Sequence, residues 1–231
     1  MLGIDTSVII PCAGLGRRMK CFGSKSLLDL GNGQNIINRQ INIVRKMLPF
    51  VDIIVITGPE SAKVEAALPK SVRVIENCEY ATTNVARSIA IGLKASVTEK
   101  VLIVYGDLVF SSNIFQYLNR NTSCILIDDN NYMKDGEVGI ILDEHGNLSR
   151  MAYGLPNKWM QILWITGKEI DILKSVAYNR DYDKHFGFEL LNLAVDNGAK
   201  LKGIFPQGCK IIDVDTSGDI AIAQRIAQYD K

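Results

Sequence analysis

The first hundred residues alternate short, β-branched apolar runs with stretches whose apolar residues recur at helical spacing, and few folds accept that alternation. The runs are Ser7-Val-Ile-Ile-Pro-Cys12, Asp52-Ile-Ile-Val-Ile-Thr-Gly58, Val72-Arg-Val-Ile75 and Val101-Leu-Ile-Val-Tyr105. Most are apolar almost throughout, the pattern of a strand buried between two layers. Between them, Ile36, Ile37, Ile41, Val44 and Leu48 mark a helix over roughly 35–48, and an Ala-rich helix begins at Ser61. Thr82 or Thr83 is placed to cap a third helix carrying Ile89, Ile91 and Leu93.

After residue 120 the rhythm changes. Strand patterns at 124–128, 138–142, 148–151 and 159–165 follow closely, with a turn signal at Glu144-His-Gly-Asn147. Helical stretches return at about 168–177 and 185–197, strands at 200–205 and 210–213, and a last helix starts from Thr216. This predicts a single α/β domain over 1–231: three α/β/α layers on a mixed, mainly parallel sheet, with a small antiparallel insertion.

Charge and cysteine usage bound the function. Lys plus Arg total 26 against 25 Asp plus Glu, a net charge of +1, which leaves no global field for nucleic acid or an anionic membrane. No apolar run nears the ~18 residues of a membrane span. The start MLGIDTSVIIPC has no basic segment, and Asp5 interrupts any apolar one. Five cysteines without a CxxC, and two histidines, argue against a disulfide framework, a zinc site or a His-based triad. The expectation is a soluble cytoplasmic protein; its patterning sets no oligomeric state.

The strongest local signal is Pro11-Cys-Ala-Gly-Leu-Gly-Arg-Arg-Met19, followed by Lys25-Ser-Leu-Leu28. Gly14 and Gly16 let main-chain N–H groups approach an anion, and Arg17, Arg18, Lys20 and Lys25 supply cations with no acid between them. A loop at the C-terminal end of a parallel strand sits where open α/β sheets bind ligands. The spacing fits neither a P-loop nor a dinucleotide fingerprint, which would need glycine where Met19 stands. The expected ligand is a polyphosphate.

This stretch resembles the GxGxRM…KPLL signature of sugar-1-phosphate and related nucleotidylyltransferases, with Ser26 where that family usually has proline. The resemblance implies a nucleotide-diphospho-sugar transferase-like fold, with about 1–120 binding nucleotide and about 121–210 binding the acceptor. It implies that Ala13, Gly14, Leu15, Gly16 and Arg17 wrap the triphosphate. Arg18 would neutralise the departing pyrophosphate, and Lys25 would contact the α-phosphate or the incoming phosphate. Such transfer needs a divalent cation, expected to be Mg²⁺. Tyr105-Gly-Asp107 resembles the family's GD station, with Gly106 beside the nucleotide and Asp107 as metal ligand. Ile212-Asp-Val-Asp-Thr-Ser-Gly-Asp219 resembles its closing (V/I)DTxxDL segment. There Asp215 is the favoured second ligand and Asp213 the alternate, both expected on one side of a strand, with Asp219 in the first turn of the last helix.

Asn77-Cys-Glu-Tyr-Ala-Thr-Thr-Asn-Val-Ala-Arg-Ser88 resembles the choline-phosphate cytidylyltransferase-like branch. That likeness gives Asn84 and Ser88 the base edge or ribose and favours CTP, although Thr83 and Asn84 are good helix caps whatever they bind. Tyr153-Gly-Leu-Pro-Asn-Lys-Trp159 brings a cation and two aromatics to the acceptor side. Lys158 would meet an acceptor phosphate, and Trp159 a quaternary ammonium or sugar face, unless it is simply core. Glu189 would pair with an acceptor amine or hydroxyl. The expected reaction moves an NMP group from an NTP, CTP favoured, to a phosphate monoester such as phosphocholine, an aminoalkyl phosphate or a sugar phosphate. Two rivals stand beside it: a glycosyltransferase using Asp213-Val-Asp215 as its DxD, and an inactive regulatory subunit.

Overall fold

In the computed structural model, residues 4–14, 24–31, 33–128 and 136–229 are described. The first half runs β1 (Thr6–Cys12), α1 (Ile36–Met47), β2 (Val51–Thr57), α2 (Ser61–Ala67), β3 (Arg73–Glu76), α3 (Val85–Ala95), β4 (Lys100–Val104) and β5 (Leu108–Phe110). The second half runs β6 (Cys124–Asp128), β7 (Val138–Leu142), β8 (Leu148–Tyr153), β9 (Lys158–Thr166), α4 (Lys168–Ala177), α5 (Gly187–Asp196), β10 (Lys202–Ile204), β11 (Ile211–Asp213) and α6 (Ser217–Tyr229).

Alternation along β1 sets the layers. Val8 and Ile10 pack on the α1 side with Ile37, Ile41 and Val44. Ile9 faces the opposite layer, where α3, α4 and α5 contribute Ile89, Leu93, Leu173 and Leu191. All three β1 residues are fully buried, as a central strand covered on both faces requires. Gly92 lets α3 lie directly on β1, since a Cβ there would sit 2.4 Å from Ile9 Cγ2.

The central path orders its strands β10-β6-β9-β4-β1-β2-β3, and only β9 runs against the rest. The chain builds β1, β2 and β3 outward, then returns to lay β4 on the other side of β1. That reversal opens a crevice at the carboxyl ends of β1 and β4, where such sheets take their ligands. The β7–β8 hairpin and β9 form the expected antiparallel insertion. Among the described residues, no helix is long and apolar enough to cross a membrane.

One expectation needs correction, and one strand carries no mark in the sequence. The helix α3 is capped by Asn84, whose Oδ1 accepts the Val85 N–H at 2.8 Å, not by Thr82 or Thr83. Thr83 Oγ1 instead donates to the Glu79 carbonyl at 2.7 Å. More consequentially, Leu108-Val-Phe110 forms β5, which pairs antiparallel with β11 as a separate two-stranded sheet. Val109, Ile212 and Val214 bury against Ala223 and Ile226 of α6.

The insertion is held to the main sheet by a close approach at Gly139, which pairs with Lys158. A Cβ there would lie 1.8 Å from the Leu155 carbonyl oxygen, a backbone atom with no rotamer to yield. Gly139→Ala should therefore destabilise the protein by about 2–3 kcal/mol, the upper part of the overpacking range, in urea unfolding monitored by circular dichroism. An unchanged midpoint would show that β7 can leave β9 at no cost.

Candidate active site

A cleft of about 580 Å³ opens at the crevice between β1 and β4. Three distant stretches converge on it. Lys25 stands on a short 3₁₀ turn, Lys25–Leu27, whose preceding Ser24 N–H donates to Glu60 Oε2 at 2.8 Å. Its Nζ donates to Asp215 Oδ1 at 2.5 Å and lies 3.6 Å from Asp107 Oδ2. One ammonium thus bridges both carboxylates expected as metal ligands.

The backbone around Asp107 is fixed from several sides. The Gly106 N–H donates to the Pro11 carbonyl at 3.1 Å, and a Cβ on Gly106 would meet Cys12 Sγ at 2.1 Å. Pairing of β5 with β11 sets Leu108 opposite Asp213, and the Val214 N–H donates to the Asp107 carbonyl at 3.0 Å. Asp219, in the first turn of α6 as expected, accepts the N–H groups of Asp215 and Thr216 at 3.1 and 2.8 Å. Burial pushes the Asp107 carboxyl above its ordinary range; Lys25 pulls it down, while Asp213 and Asp215 push it further up. The neighbouring Cys12 thiol is pushed up to about 12, chiefly by burial and then by Asp107, so it is no nucleophile at neutral pH.

Deeper in the cleft, Lys158 Nζ donates to Glu137 Oε1 at 2.5 Å and to Asp213 Oδ1 at 3.1 Å. Gln161 adds a bond from Nε2 to Asp213 Oδ2 at 3.4 Å. It is placed there by a β-bulge against β6, and its φ of 56° is a left-handed conformation rare outside glycine. Burial alone would lower the Lys158 pKa, but Asp213 and Glu137 outweigh it and hold the ammonium above its ordinary 10.5.

Against the expectations, Ala13, Gly14, Lys25, Asn84, Ser88, Gly106, Asp107, Tyr153, Lys158, Trp159, Asp213 and Asp215 all line this cleft. Leu15, Gly16, Arg17 and Arg18 lie outside the described residues. Three placements differ from what the sequence suggests. Strand β11 ends at Asp213, so Asp213 and Asp215 do not alternate along one strand and are held by different lysines. Lys158 is not an uncommitted cation, because two carboxylates already neutralise it. Glu189 does not line the cleft; its Oε2 accepts the Phe186 N–H at 2.7 Å and caps α5.

Two further walls of the cleft differ in chemistry. Asn77, 1% exposed, donates from Nδ2 to Thr83 Oγ1 at 3.2 Å and to Ser88 Oγ at 3.4 Å, and so ties the loop before α3 to the helix. Opposite stands an aromatic wall. Tyr105 and Trp159 meet edge to face at 5.5 Å, Tyr153 and Phe188 at 5.2 Å, and Phe186 stacks on Phe188 at 6.0 Å. Trp159 is core and wall at once, 5% exposed. Sequence reasoning missed Asn77, Glu137 and Gln161. Only Gln161 carries a signal, as the polar break in Trp159-Met-Gln-Ile-Leu-Trp-Ile165.

The outer carboxylates suit a divalent cation. Asp107 Oδ1 is buried without a hydrogen-bond partner, and four lining carboxylates meet only two lysines among the described residues. No group of three His, Cys, Asp or Glu is gathered for a metal among those residues. Mg²⁺ needs no such cage, since one or two carboxylates suffice when phosphate oxygens and water complete its shell. Asp107 and Asp215 fit that role.

Residues 8–130 match the family of MobA-like NTP transferase domains. The chain belongs to that family. It is 31% identical to the bifunctional protein GlmU of Gluconobacter oxydans over 154 residues, which cover 64% of this chain and 33% of GlmU, about a third of that relative's length. Its fold is similar to that of the CTP:phosphocholine cytidylyltransferase of Streptococcus pneumoniae, with a TM-score of 0.79 and 17% identity over 97% of this chain and 100% of that one. It is also similar to the inositol-1-phosphate CTP transferase of T. maritima, with a TM-score of 0.75 and 14% identity over 99% and 98%.

Removing the inner cation tests its structural share in this NTP transferase fold. Lys158→Met leaves Glu137 and Asp213, 10% and 18% exposed, without their ammonium, and should cost about 3 kcal/mol at neutral pH. Because the lysine pKa is raised on folding, its contribution is complete below 10.5 and is lost only as pH climbs through the folded value. Urea unfolding of parent and variant should show that gap at neutral pH, narrowing only in strong alkali. Equal stability at neutral pH would contradict the assignment.

Proposed function

We propose that this protein transfers an NMP group, CMP in preference, from a nucleoside triphosphate to a small phosphate monoester, releasing pyrophosphate with Mg²⁺. The observation that carries the proposal is the convergence of Lys25, Asp107 and Asp215 at the mouth of the cleft, from three stretches far apart in sequence. One ammonium between two carboxylates leaves a net negative charge at the end of the crevice, which suits a divalent cation that would in turn gather phosphate oxygens. When bound, Mg²⁺ at Asp107 and Asp215 would neutralise non-bridging phosphate oxygens.

This chain's own residues then hold the reactants. Lys25, released from Asp215, meets the α-phosphate. Ala13 and Gly14 begin the loop around the triphosphate, and Asn84 and Ser88 sit where the base edge or ribose would lie. An oxygen of the acceptor phosphate attacks the α-phosphorus in line as pyrophosphate leaves from the opposite side. The acceptor phosphate is already a dianion at neutral pH, so no general base is required; positioning and charge stabilisation carry the rate. In this reading about 1–120 binds the nucleotide and about 121–210 the acceptor, with Tyr153 and Trp159 in the wall that meets its far end. Five aromatic rings and a neutralised Lys158 favour a quaternary ammonium or a sugar face there over a second anion. A DxD-type glycosyltransferase site is disfavoured, because Asp213 is committed to Lys158 and Gln161.

Pyrophosphate release from CTP, Mg²⁺ and a panel of phosphate monoesters tests the proposal. Lys25→Ala and Asp107→Asn should each lower turnover by about 10²-fold or more while circular dichroism stays unchanged. Near 100 times its dissociation constant, CTP with Mg²⁺ should stabilise the parent by about 2.7 kcal/mol, or roughly 5–10 °C in a thermal scan. Full turnover in both variants, or a shift only with nucleotide sugars, would overturn the mechanism.

A further inference from the structure

We propose that Gln40 is a positioning residue for Asp107, an inference that rests on the nucleotidyl-transfer reading above. Gln40 lies on the inner face of α1 and is 1% exposed. Its Nε2 donates to the carbonyls of both Tyr105 and Leu108, each at 2.8 Å. Those residues bound the turn Tyr105-Gly-Asp-Leu108, which the Leu108 N–H closes on the Tyr105 carbonyl at 3.3 Å. A single amide group therefore clasps both ends of the turn that presents the Asp107 carboxylate. Its neighbour Arg39, 4% exposed, donates from Nη1 to the Phe110 carbonyl at 2.7 Å, so α1 grips this stretch at three carbonyls.

Packing alone does not account for a glutamine here. Its Oε1 is buried without a hydrogen-bond partner, a cost that leucine or methionine would avoid. What the glutamine provides and an apolar side chain cannot is a pair of N–H donors aimed at two carbonyls one turn apart. The turn's other ties reach it from β1, where Pro11 accepts the Gly106 N–H, and from Val214, the residue after β11. Gln40 adds the third direction, from the helix layer, and fixes how far the carboxylate projects from the sheet edge. Displacement of a reacting group by about 1 Å costs on the order of 10²-fold in rate, so such a clasp matters more to turnover than to folding.

Gln40→Met keeps the length and removes both donors, whereas Gln40→Glu keeps the shape and replaces the donors with a carboxylate. The two variants are compared with the parent for kcat, KM for CTP and unfolding midpoint. Mn²⁺ affinity is measured by electron paramagnetic resonance in the presence of a non-hydrolysable CTP analogue. The expected result is a loss of about 10–100-fold in kcat and in Mn²⁺ affinity, with KM for CTP within about twofold of the parent. A merely structural residue would lower the midpoint and leave kcat per folded molecule and Mn²⁺ affinity at parent values, and that result in either folded variant overturns the proposal. If Gln40→Met does not fold, Gln40→Glu decides; failure of both to fold assigns Gln40 to stability and also overturns it. A parent that releases no pyrophosphate overturns the reading of the site itself, whereas an active parent with equally active variants overturns Gln40 alone.

Discussion

Strands β5 and β11 are each three residues long, yet their antiparallel pairing brings the two ends of the candidate site together. Asp107 closes the first half of the chain and Asp215 precedes its last helix; the Val214 N–H bonded to the Asp107 carbonyl fixes one beside the other. So short a ladder is weak alone, and a small apolar cluster under α6 holds it in place. Asp219 then pins the backbone of Asp215 and Thr216. Lys25 reaches both carboxylates only because that junction sets them side by side.

The junction carries an electrostatic cost that the structure meets in two ways. Four carboxylates line one cleft, and Asp107 is pushed above its ordinary range chiefly by burial, with a smaller push from Asp213 and Asp215. The inner pair, Glu137 and Asp213, is answered by Lys158, with Gln161 held in a left-handed conformation to add one more donor. At the outer pair, Asp107 and Asp215, the ammonium of Lys25 stands at the end of a flexible side chain, and Asp107 Oδ1 is left without a partner. The two clusters thus share one cleft but not one lysine.

Much of this was legible from residue order, for reasons particular to each element. Strands β1, β2 and β4 are nearly continuous apolar runs, because a central parallel strand is covered on both faces. The glycine-rich stretch and Lys25 stand out through local spacing, and the two acidic stations through their resemblance to the GD and (V/I)DTxxDL segments of nucleotidylyltransferases. Strand β5 did not: three apolar residues after Gly-Asp show no period, and they become a strand only because Ile211–Asp213 arrives from a hundred residues away. Gln40 reads as an ordinary polar residue within an amphipathic helix, and its role depends on two carbonyls from another layer. Lys158 and Glu189 look available in sequence and are committed in space, one to two carboxylates and the other to a helix cap.

In the proposed mechanism Asp107, Asp215 and Lys25 form one centre for nucleotidyl transfer. A crystal structure of the protein with Mn²⁺ and a non-hydrolysable CTP analogue tests it most directly, read by the anomalous signal of the metal. An anomalous peak bonded to Asp107 and Asp215 is expected, with Lys25 Nζ moved from Asp215 to the α-phosphate. A metal held by Glu137 and Asp213, or a triphosphate bound away from Lys25, would contradict it.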